Sequence, residues 1–368
     1  MAMYTRRTWM QKKIAITAGA GAASALSVVK PSAEGQIAST AKKGNFKLAW
    51  ALGYNPSQLK IIRQIGVNHA IAYVWEALGK VNSDQYVDTL KKIKADFESA
   101  GFTIAGVEGH STPAEHIMLG TPGRDEEIIN YCKMIEALGK VGIPMCCYNF
   151  MAGIGWYRTR FDVPERGGAL TSEFDYQTAE KEGLTQWGKI SEEKIWDNLT
   201  YFLERIIPVA EKAGVKMALH PDDPPISPLR GIGRILTSAD AFRRVMDIVP
   251  SPVNGIAFCQ ANFKAMGEDI EATAREFCKQ GKVFFVHFRD IDGRAERFRE
   301  TFHDNGPTDM ARMLQVYYES DFDGPIRPDH APTIEGESEQ SHGYGVVGKV
   351  LAIGYMKGIM DALDIPYQ

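Results

Sequence analysis

The sequence contains few cysteines and no excess of basic residues, and both shortages narrow the class of protein. Its 368 residues include only five cysteines, without the regular spacing of a disulfide framework, so we expect no structural disulfide. Lysine and arginine number 42 against 46 acidic residues, which gives a net charge of −4 at pH 7. Because nucleic acid-binding surfaces are strongly basic, this balance argues against nucleic acid as a partner. The sequence also lacks solenoid repeats and a disordered composition, and its 44% of hydrophobic residues suffices for a large core.

The sequence offers no long apolar run for a stable membrane anchor. Residues 14–29, IAITAGAGAASALSVV, number only 16 and are rich in glycine and alanine, whereas a transmembrane helix needs about 20 mostly apolar residues. The paired Arg6 and Arg7 precede this run, and the segment resembles a bacterial twin-arginine signal peptide. We therefore expect a signal peptide and linker in residues 1–40, one catalytic domain in residues 41–368, and export of the protein, for example to the periplasm.

Short apolar runs alternate with segments of helical periodicity along the rest of the chain. The candidate strands are residues 47–53, 68–74, 103–108, 144–150, 215–220, 254–259, 283–288 and 324–329. Eight alternations predict an α/β fold of the (β/α)8 TIM-barrel type. Residues 151–190, after the fourth strand, are too many for an ordinary loop, and we expect an insertion there: a lid, an oligomer contact or a plain surface excursion.

Four potential metal ligands stand at the ends of the last four predicted strands. His220 closes VKMALH, Cys259 closes NGIAFC, His287 lies late in KVFFVHF, and Asp329 closes GPIRPD. In a parallel barrel all strand ends open on one face, so these side chains would be neighbours. Each residue alone is more often a core or turn residue, but their equivalent positions on four successive strands predict a shared ion. Two imidazoles, one thiolate and one carboxylate suit Zn²⁺, Fe²⁺ or Mn²⁺.

Other reactive side chains follow the same strand ends. His330 comes directly after the last candidate ligand and, because strand side chains alternate in direction, is a candidate acid or base beside the ion. Tyr344, in a loop with glycine on both sides, could reach the same rim. Arg289 could hold a substrate carboxylate. His303 could approach the substrate or lie in a surface turn, and Glu108 could face the rim or serve the structure.

These motifs together resemble the mannonate dehydratase family. The motifs concerned are HPDDPP at 220–225, Cys259, HFR at 287–289, RPDH at 327–330, GY at 343–344, CYNFM at 147–151 and IIRQIGV at 61–67. The resemblance extends from about residue 47 to residue 363. It implies a TIM barrel that binds Mn²⁺ or Fe²⁺, in preference to Zn²⁺, and dehydrates D-mannonate to 2-keto-3-deoxy-D-gluconate. The residues it implies are the metal ligands His220, Cys259, His287 and Asp329 and the catalytic candidates His330 and Tyr344.

Two alternative functions remain open at the level of sequence. A metal-dependent sugar isomerase or epimerase would use the same kind of barrel and ion, but it would conserve the mass of its substrate, whereas dehydration removes water. A non-catalytic sugar-acid-binding protein would bind its ligand without turnover. The expected partner is a small-molecule sugar acid, and a homo-oligomer is compatible with the sequence.

Overall fold

Eight parallel strands close into a barrel. The structure is a computed structural model that describes residues 44–338 and 342–368. Its strands are β1 (Lys47–Leu52), β2 (His69–Ala72), β3 (Thr103–Glu108), β4 (Met145–Tyr148), β5 (Arg160–Pro164), β6 (Leu170–Asp175), β7 (Lys216–Leu219), β8 (Asn254–Cys259), β9 (Val283–Phe288), β10 (Ile291–Arg294), β11 (Arg297–Glu300) and β12 (Pro325–Pro328). The barrel order is β1-β12-β9-β8-β7-β4-β3-β2. All eight predicted strands are confirmed to within two residues at each end, and the predicted TIM barrel is therefore correct.

Helices follow the barrel strands and cover the outside of the barrel. They are α1 (Pro56–Gln64), α2 (Trp75–Leu78), α3 (Tyr86–Ser99), α4 (Glu115–Leu119), α5 (Arg124–Val141), α6 (Tyr176–Lys181), α7 (Glu192–Ala213), α8 (Ala239–Ile248), α9 (Gln260–Ala265), α10 (Ile270–Lys279), α11 (Met310–Glu319) and α12 (Val346–Ala362). Short polar residues begin several of them, because a side-chain oxygen can satisfy a free N–H of the first turn. Asn55 accepts from the backbone N–H of Gln58 at 3.1 Å, and Ser191 does the same for Lys194 at 3.3 Å.

Apolar side chains fill the inside of the barrel. A buried cluster separate from the main core combines five alanines with the larger Ile71, Met145, Phe284 and Phe285. Since side chains alternate along a strand, every second residue points inward and the intervening ones pack against the helices. The polar groups that carry chemistry stand at the carboxyl ends of the strands, beyond this apolar layer.

A second, antiparallel sheet is built from two insertions at the carboxyl ends of barrel strands. Its strand order is β10-β11-β6-β5, with β5 and β6 following β4 and the β10–β11 hairpin following β9. Phe298 of β11 stands opposite Phe174 of β6, and both belong to a small apolar core of their own. The insertion after the fourth strand was predicted from its length. The β10–β11 hairpin that completes the sheet was not predicted from the sequence.

The predicted signal peptide and linker, residues 1–40, lie outside the described residues. In the part of the chain that the structure does describe, no helix combines the length and the apolar character that crossing a membrane requires. All five cysteines fall within the described ranges, and all are free thiols. The expectation of no structural disulfide is therefore confirmed.

Candidate metal and catalytic site

Three of the four predicted ligands meet at the carboxyl face of the barrel. His220 follows β7 directly, Cys259 ends β8, and His287 is the last residue but one of β9. Cys259 and His287 are register partners in the parallel pairing of β8 with β9. One ligand atom from each of the three side chains lies within 4.8 Å of the others. The three residues that occupy equivalent strand ends in the sequence thus form one cluster of nitrogen and sulfur donors.

The hydrogen bonds of the cluster leave these donors free for an ion. The Nδ1 of His220 lies 2.7 Å from the carbonyl oxygen of Pro221, and because a carbonyl can only accept, Nδ1 carries the proton and Nε2 keeps its lone pair. Both ring nitrogens of His287 are buried without a hydrogen-bond partner among the described residues. Buried polar atoms normally have a partner. The arrangement therefore fits a divalent ion held by His220, Cys259 and His287.

Burial sets the protonation of the three donors. It lowers the pKa of His220 and of His287 to about 3, so both imidazoles are neutral at pH 7. It raises the pKa of the Cys259 thiol to about 12, although the positive charge of Arg289 opposes this change. The thiol donates to the side-chain oxygen of Asn262 at 2.8 Å. A metal ion would have to displace that proton to gain a thiolate ligand.

Asp329, the fourth predicted ligand, lies beside the three-donor group. Its Oδ2 atom is 3.5 Å from Nδ1 of His287 and 3.0 Å from Nε of Arg289. Its Oδ1 atom accepts from Arg327 at 2.7 Å. Burial opposes ionisation, but the charge of Arg327 and of the neighbouring histidines holds the pKa of Asp329 well below its usual range. The side chain is a carboxylate at the right end of the barrel, and its role as a ligand stays a prediction.

Glu108 and Cys147 form a second group of donors around the same histidine. One oxygen of Glu108, the Sγ of Cys147 and a nitrogen of His287 also lie within 4.8 Å of one another. Glu108 accepts from Arg327 at 2.7 Å, while its other oxygen is buried without a partner in the described ranges. Glu108 thus faces the site. Cys147 turns into the barrel, whereas the adjacent Cys146 packs in the outer core.

The two predicted catalytic residues are hydrogen-bonded to each other. Nε2 of His330 lies 2.8 Å from the hydroxyl oxygen of Tyr344, and Nδ1 lies 3.1 Å from Oε1 of Glu300. Burial opposes ionisation of Glu300, but Arg289, His330 and Arg158 hold its pKa far below the usual range. A carboxylate can only accept, so Nδ1 of His330 donates to Glu300 and Nε2 accepts from Tyr344. The three side chains form a continuous line from carboxylate to phenol.

A buried ionic network holds Glu300 in place. Arg158 donates to Asp223 at 2.6 Å and to Glu300 at 2.6 Å. Arg289 donates to Glu300 at 2.8 Å and to Asp223 at 2.8 Å, and it also contacts Asn262. With Asp329 on its Nε, the guanidinium of Arg289 is surrounded by protein acceptors. Its predicted contact with a substrate carboxylate stays a prediction, and the geometry favours a positioning role.

A cavity of about 510 Å³ opens beside these groups. Residues that line it include His220, His287, Asp329, His330, Tyr344, Glu108, Asp223, Arg327 and Trp156. Cys259 is fully buried and stands behind the wall rather than in it. His303 is also buried, and its Nε2 donates to the carbonyl of Phe288 at 2.7 Å. Neither His303 nor Arg289 belongs to the cavity wall, so the substrate contact predicted for His303 stays a prediction as well.

Two central residues of the network were not predicted from the sequence. Glu300 ends β11, and Arg158 precedes β5, so both come from the inserted sheet rather than from barrel strands. The metal ligands were predicted because they stand at the ends of barrel strands, and this criterion does not apply to residues in insertions. Asp223 did carry a signal, because it lies in the HPDDPP motif that follows β7.

Comparison with known proteins identifies the family. The model of the family D-mannonate dehydratase (UxuA) matches residues 45–186 and 177–368. The mannonate dehydratase of Thermotoga maritima is 34% identical over 342 residues, covering 83% of this chain and 94% of that protein. Mannonate dehydratase 2 of Halalkalibacterium halodurans is 35% identical over 337 residues, with coverage of 83% and 96%. The crystal structure of mannonate dehydratase from Streptococcus suis serotype 2 superposes with a TM-score of 0.79 at 30% identity, covering 88% of this chain and 98% of that one. The chain belongs to the mannonate dehydratase family.

Proposed function

We propose that this protein is a metal-dependent hydro-lyase that converts D-mannonate to 2-keto-3-deoxy-D-gluconate and water. The observation that carries the proposal is the line Glu300–His330–Tyr344, which ends in the same cavity as His220 and His287. Dehydration next to a carboxylate needs both an acceptor for a carbon-bound proton and a donor for the departing hydroxyl. The cavity presents both kinds of group beside a set of metal donors.

The ion would be held by His220, Cys259 and His287, and we propose Asp329 as a fourth ligand. When bound, a divalent cation supplies the positive charge that stabilises the enolate formed on loss of the proton beside the carboxylate. The nitrogen and sulfur donors suit Zn²⁺ or Fe²⁺ and the carboxylate also suits Mn²⁺, whereas the family resemblance favours Mn²⁺ or Fe²⁺. We propose either of these in preference to Zn²⁺.

His330 and Tyr344 would divide the transfer of protons. In the resting site Tyr344 carries the proton of their hydrogen bond, since desolvation of its hydroxyl and nearby carboxylates hold the pKa of Tyr344 well above its ordinary value. We propose that the hydroxyl of Tyr344 turns to the substrate when it binds, which frees Nε2 of His330 to take the proton from C2 while Tyr344 protonates the hydroxyl that leaves C3. Return of the proton from His330 to Tyr344 across their 2.8 Å contact would restore the enzyme. Glu300 would stabilise the transient imidazolium.

The inserted segment after β4 contributes to the enclosure of this chemistry. Trp156 lines the cavity, and its ring centroid lies 5.1 Å from that of His330 and 6.3 Å from that of Tyr344. Arg158 packs against the same indole, with its guanidinium carbon 4.9 Å from the ring centroid. The indole therefore covers one side of the proton-transfer pair, while 41% of the surface of Tyr344 is exposed.

We also propose that the protein is exported by the twin-arginine route. The support is sequence alone: Arg6 and Arg7 stand before the apolar residues 14–29, and the family match begins only at residue 45. That route carries folded proteins, so an ion bound inside the cell would travel with the chain. Replacing both arginines with lysine should leave the protein in the cytoplasmic fraction, and unchanged export would contradict this proposal.

A panel of sugar acids tests the activity and the alternatives together. The metal-reconstituted protein should turn over D-mannonate with loss of one water. A product of unchanged mass would indicate a sugar isomerase or epimerase instead, and binding without any turnover would indicate a sugar-acid-binding protein. Inactivity toward every aldonate tested would remove the dehydratase proposal.

A further inference from the structure

One buried lysine near the catalytic cavity has no role in the metal and catalytic site. Lys349 lies in the first turn of α12 and only 3% of its surface is exposed. Its Nζ stands 4.6 Å from the ring centroid of Tyr344 and 5.8 Å from that of Trp50. Burial, with the charge of Arg327, lowers the pKa of Lys349 to about 7, although Asp329, Glu108 and Glu337 act in the opposite direction. A cation in such a place is costly unless something pairs with it.

Lys349 differs in this respect from the other buried cations of the rim. Arg158 pairs with Asp223 and Glu300, and Arg327 pairs with Asp329 and Glu108. Arg289 likewise pairs with Asp223, Glu300 and Asp329. Within residues 44–338 and 342–368, Lys349 has neither a hydrogen bond nor an ion pair, and its contacts are with aromatic faces. Its three N–H donors are available to a ligand.

The space beside Lys349 is a second cavity that borders the first. It measures about 1020 Å³, and it shares Glu108, Gly109 and Tyr344 with the wall of the catalytic cavity. Besides small and aliphatic residues, the remaining lining includes three aromatic rings and two polar side chains: Trp50, Tyr73, Trp75, Gln58 and Lys349. The side chain of Trp75 is accessible, since 52% of that residue's surface is exposed. Aromatic walls with a few polar groups suit a ligand that has both C–H faces and oxygen atoms.

A sugar acid whose C2 and C3 react beside His330 also needs space for the carbons beyond C3. The catalytic cavity is the smaller of the two, and Glu108 and Tyr344 line both, with Nζ of Lys349 4.6 Å from the Tyr344 ring on the far side. A polyhydroxylated chain that passes Tyr344 would set its C–H groups against Trp50 and Trp75 and its oxygens within reach of Nζ.

We propose that Lys349 is a substrate-binding residue whose Nζ donates hydrogen bonds to oxygen atoms at the end of the sugar acid remote from His330. Trp50 and Trp75 form the apolar walls of this subsite. The identity of the ligand rests on the proposed function, whereas the existence of the subsite rests on the cavity and the unpaired lysine.

The test compares two ligands in two proteins. One ligand is D-mannonate, and the other is the aldonate of four carbons with the same configuration at C2 and C3, which lacks the remote hydroxyls. Affinities are measured by calorimetry on the Mn²⁺-loaded full chain carrying Tyr344→Phe, which keeps the ring, with and without Lys349→Met. We expect the longer ligand to bind about 10- to 100-fold more tightly when Lys349 is present, the worth of a hydrogen bond to a charged group, and this preference to vanish with methionine.

Kinetics of the single variant provide the second readout. Lys349→Met should raise KM for D-mannonate and leave kcat nearly unchanged, because the lost contact is the same in ground state and transition state. The matched control is Lys357→Met on the same helix, where Nζ instead donates to the carbonyl of Ile65 at 2.8 Å. Lys357→Met should leave the affinities for D-mannonate and for the four-carbon aldonate unchanged. Methionine replaces a buried charge by an apolar chain of similar length, so thermal unfolding should show an intact fold, and Lys349→Gln serves as a second variant.

The outcomes separate the two proposals. If Lys349→Met retains the preference for the longer ligand, or lowers kcat with KM unchanged, the subsite is refuted. If the protein with Tyr344 intact shows no turnover of D-mannonate but the preference still disappears with Lys349→Met, the subsite is supported and the dehydration is refuted.

Discussion

Nε2 of His330 lies 2.8 Å from the hydroxyl of Tyr344, although the two residues are 14 positions apart in the connection between β12 and α12. His330 comes two residues after the strand, and Tyr344 precedes α12. Glu300 fixes the other side of the imidazole, at 3.1 Å from Nδ1. The contact determines which nitrogen is protonated, and it gives the site one proton donor and one acceptor side by side.

Tyr344→Phe should abolish most of the activity while leaving the site intact. The substitution removes only the hydroxyl, so we expect kcat to fall about 10²- to 10⁴-fold, the usual contribution of one acid or base. KM and the amount of bound metal should change little. Steady-state kinetics with metal analysis checks both, and a variant of near-normal kcat would exclude Tyr344 from proton transfer.

Glu300→Gln should lower kcat through its effect on His330. The amide can no longer stabilise an imidazolium, and Arg158 and Arg289 lose a shared charge, so we also expect the free energy of unfolding to fall by about 3–5 kcal/mol. KM should stay close to that of the unaltered protein. Urea unfolding and kinetics below the unfolding transition measure the two effects separately.

Asp292→Asn is the matched control for this change. Asp292 lies in the same inserted sheet and pairs at 3.6 Å with Arg299, and the two side chains are 56% and 43% exposed. An exposed pair contributes about 0–1 kcal/mol, so stability and kcat should both stay nearly constant. A fall in stability without any fall in kcat for Glu300→Gln would reduce Glu300 to a structural residue.

Cys259→Ala should remove most of the bound metal. The substitution takes away the one sulfur donor of the group formed with His220 and His287. Cys147→Ala is the informative comparison, because Cys147 belongs to the other donor group around His287. We expect metal content, measured by mass spectrometry of the purified protein, to fall for Cys259→Ala and to hold for Cys147→Ala. The reverse result would indicate that the ion is bound by the other group, Glu108, Cys147 and His287.

Acid should destabilise the protein through its buried carboxylates. Burial opposes ionisation of Asp223, yet the charges of Arg158 and Arg289 lower its pKa. The pKa of Glu300 is lowered by the same two arginines against the same effect of burial. A carboxyl with a lowered pKa in the folded state contributes stability above its unfolded pKa of about 4, and this contribution is lost as the pH falls below that value. Asp223→Asn should therefore be less stable at pH 7 and should lose less stability on acidification. Parallel curves of unfolding free energy against pH for the two proteins would contradict this.

The barrel could be predicted from the sequence because each of its strands is defined locally. An apolar run bounded by turn residues identifies β8 or β9 without knowledge of its partners. The ligand group followed from the same information, since His220, Cys259 and His287 occupy equivalent strand ends and a parallel barrel brings such ends together. Their proximity required no further assumption.

The ionic network could not be predicted in the same way. The β11 strand, RFRE, has a buried phenylalanine but little apolar character, and its pairing with β6 joins residues more than a hundred positions apart. The spacing of Arg289 from His287 indicated the same side of the strand, but not that three carboxylates from separate segments would surround it. The sequence of α12 contains both Lys349 and Lys357, and nothing local distinguishes the lysine that lines a cavity from the one that donates to Ile65.

The most direct test of the account is the mass of the product formed from D-mannonate in D₂O by the Mn²⁺-loaded full chain. We predict a 2-keto-3-deoxy acid that has lost one water and carries one solvent deuteron at C3, because the enol released after dehydration takes its new hydrogen from the solvent. The Tyr344→Phe variant should form little of it. A product of the same composition as the substrate apart from exchanged hydrogens, or no product at all, would contradict dehydration at this site.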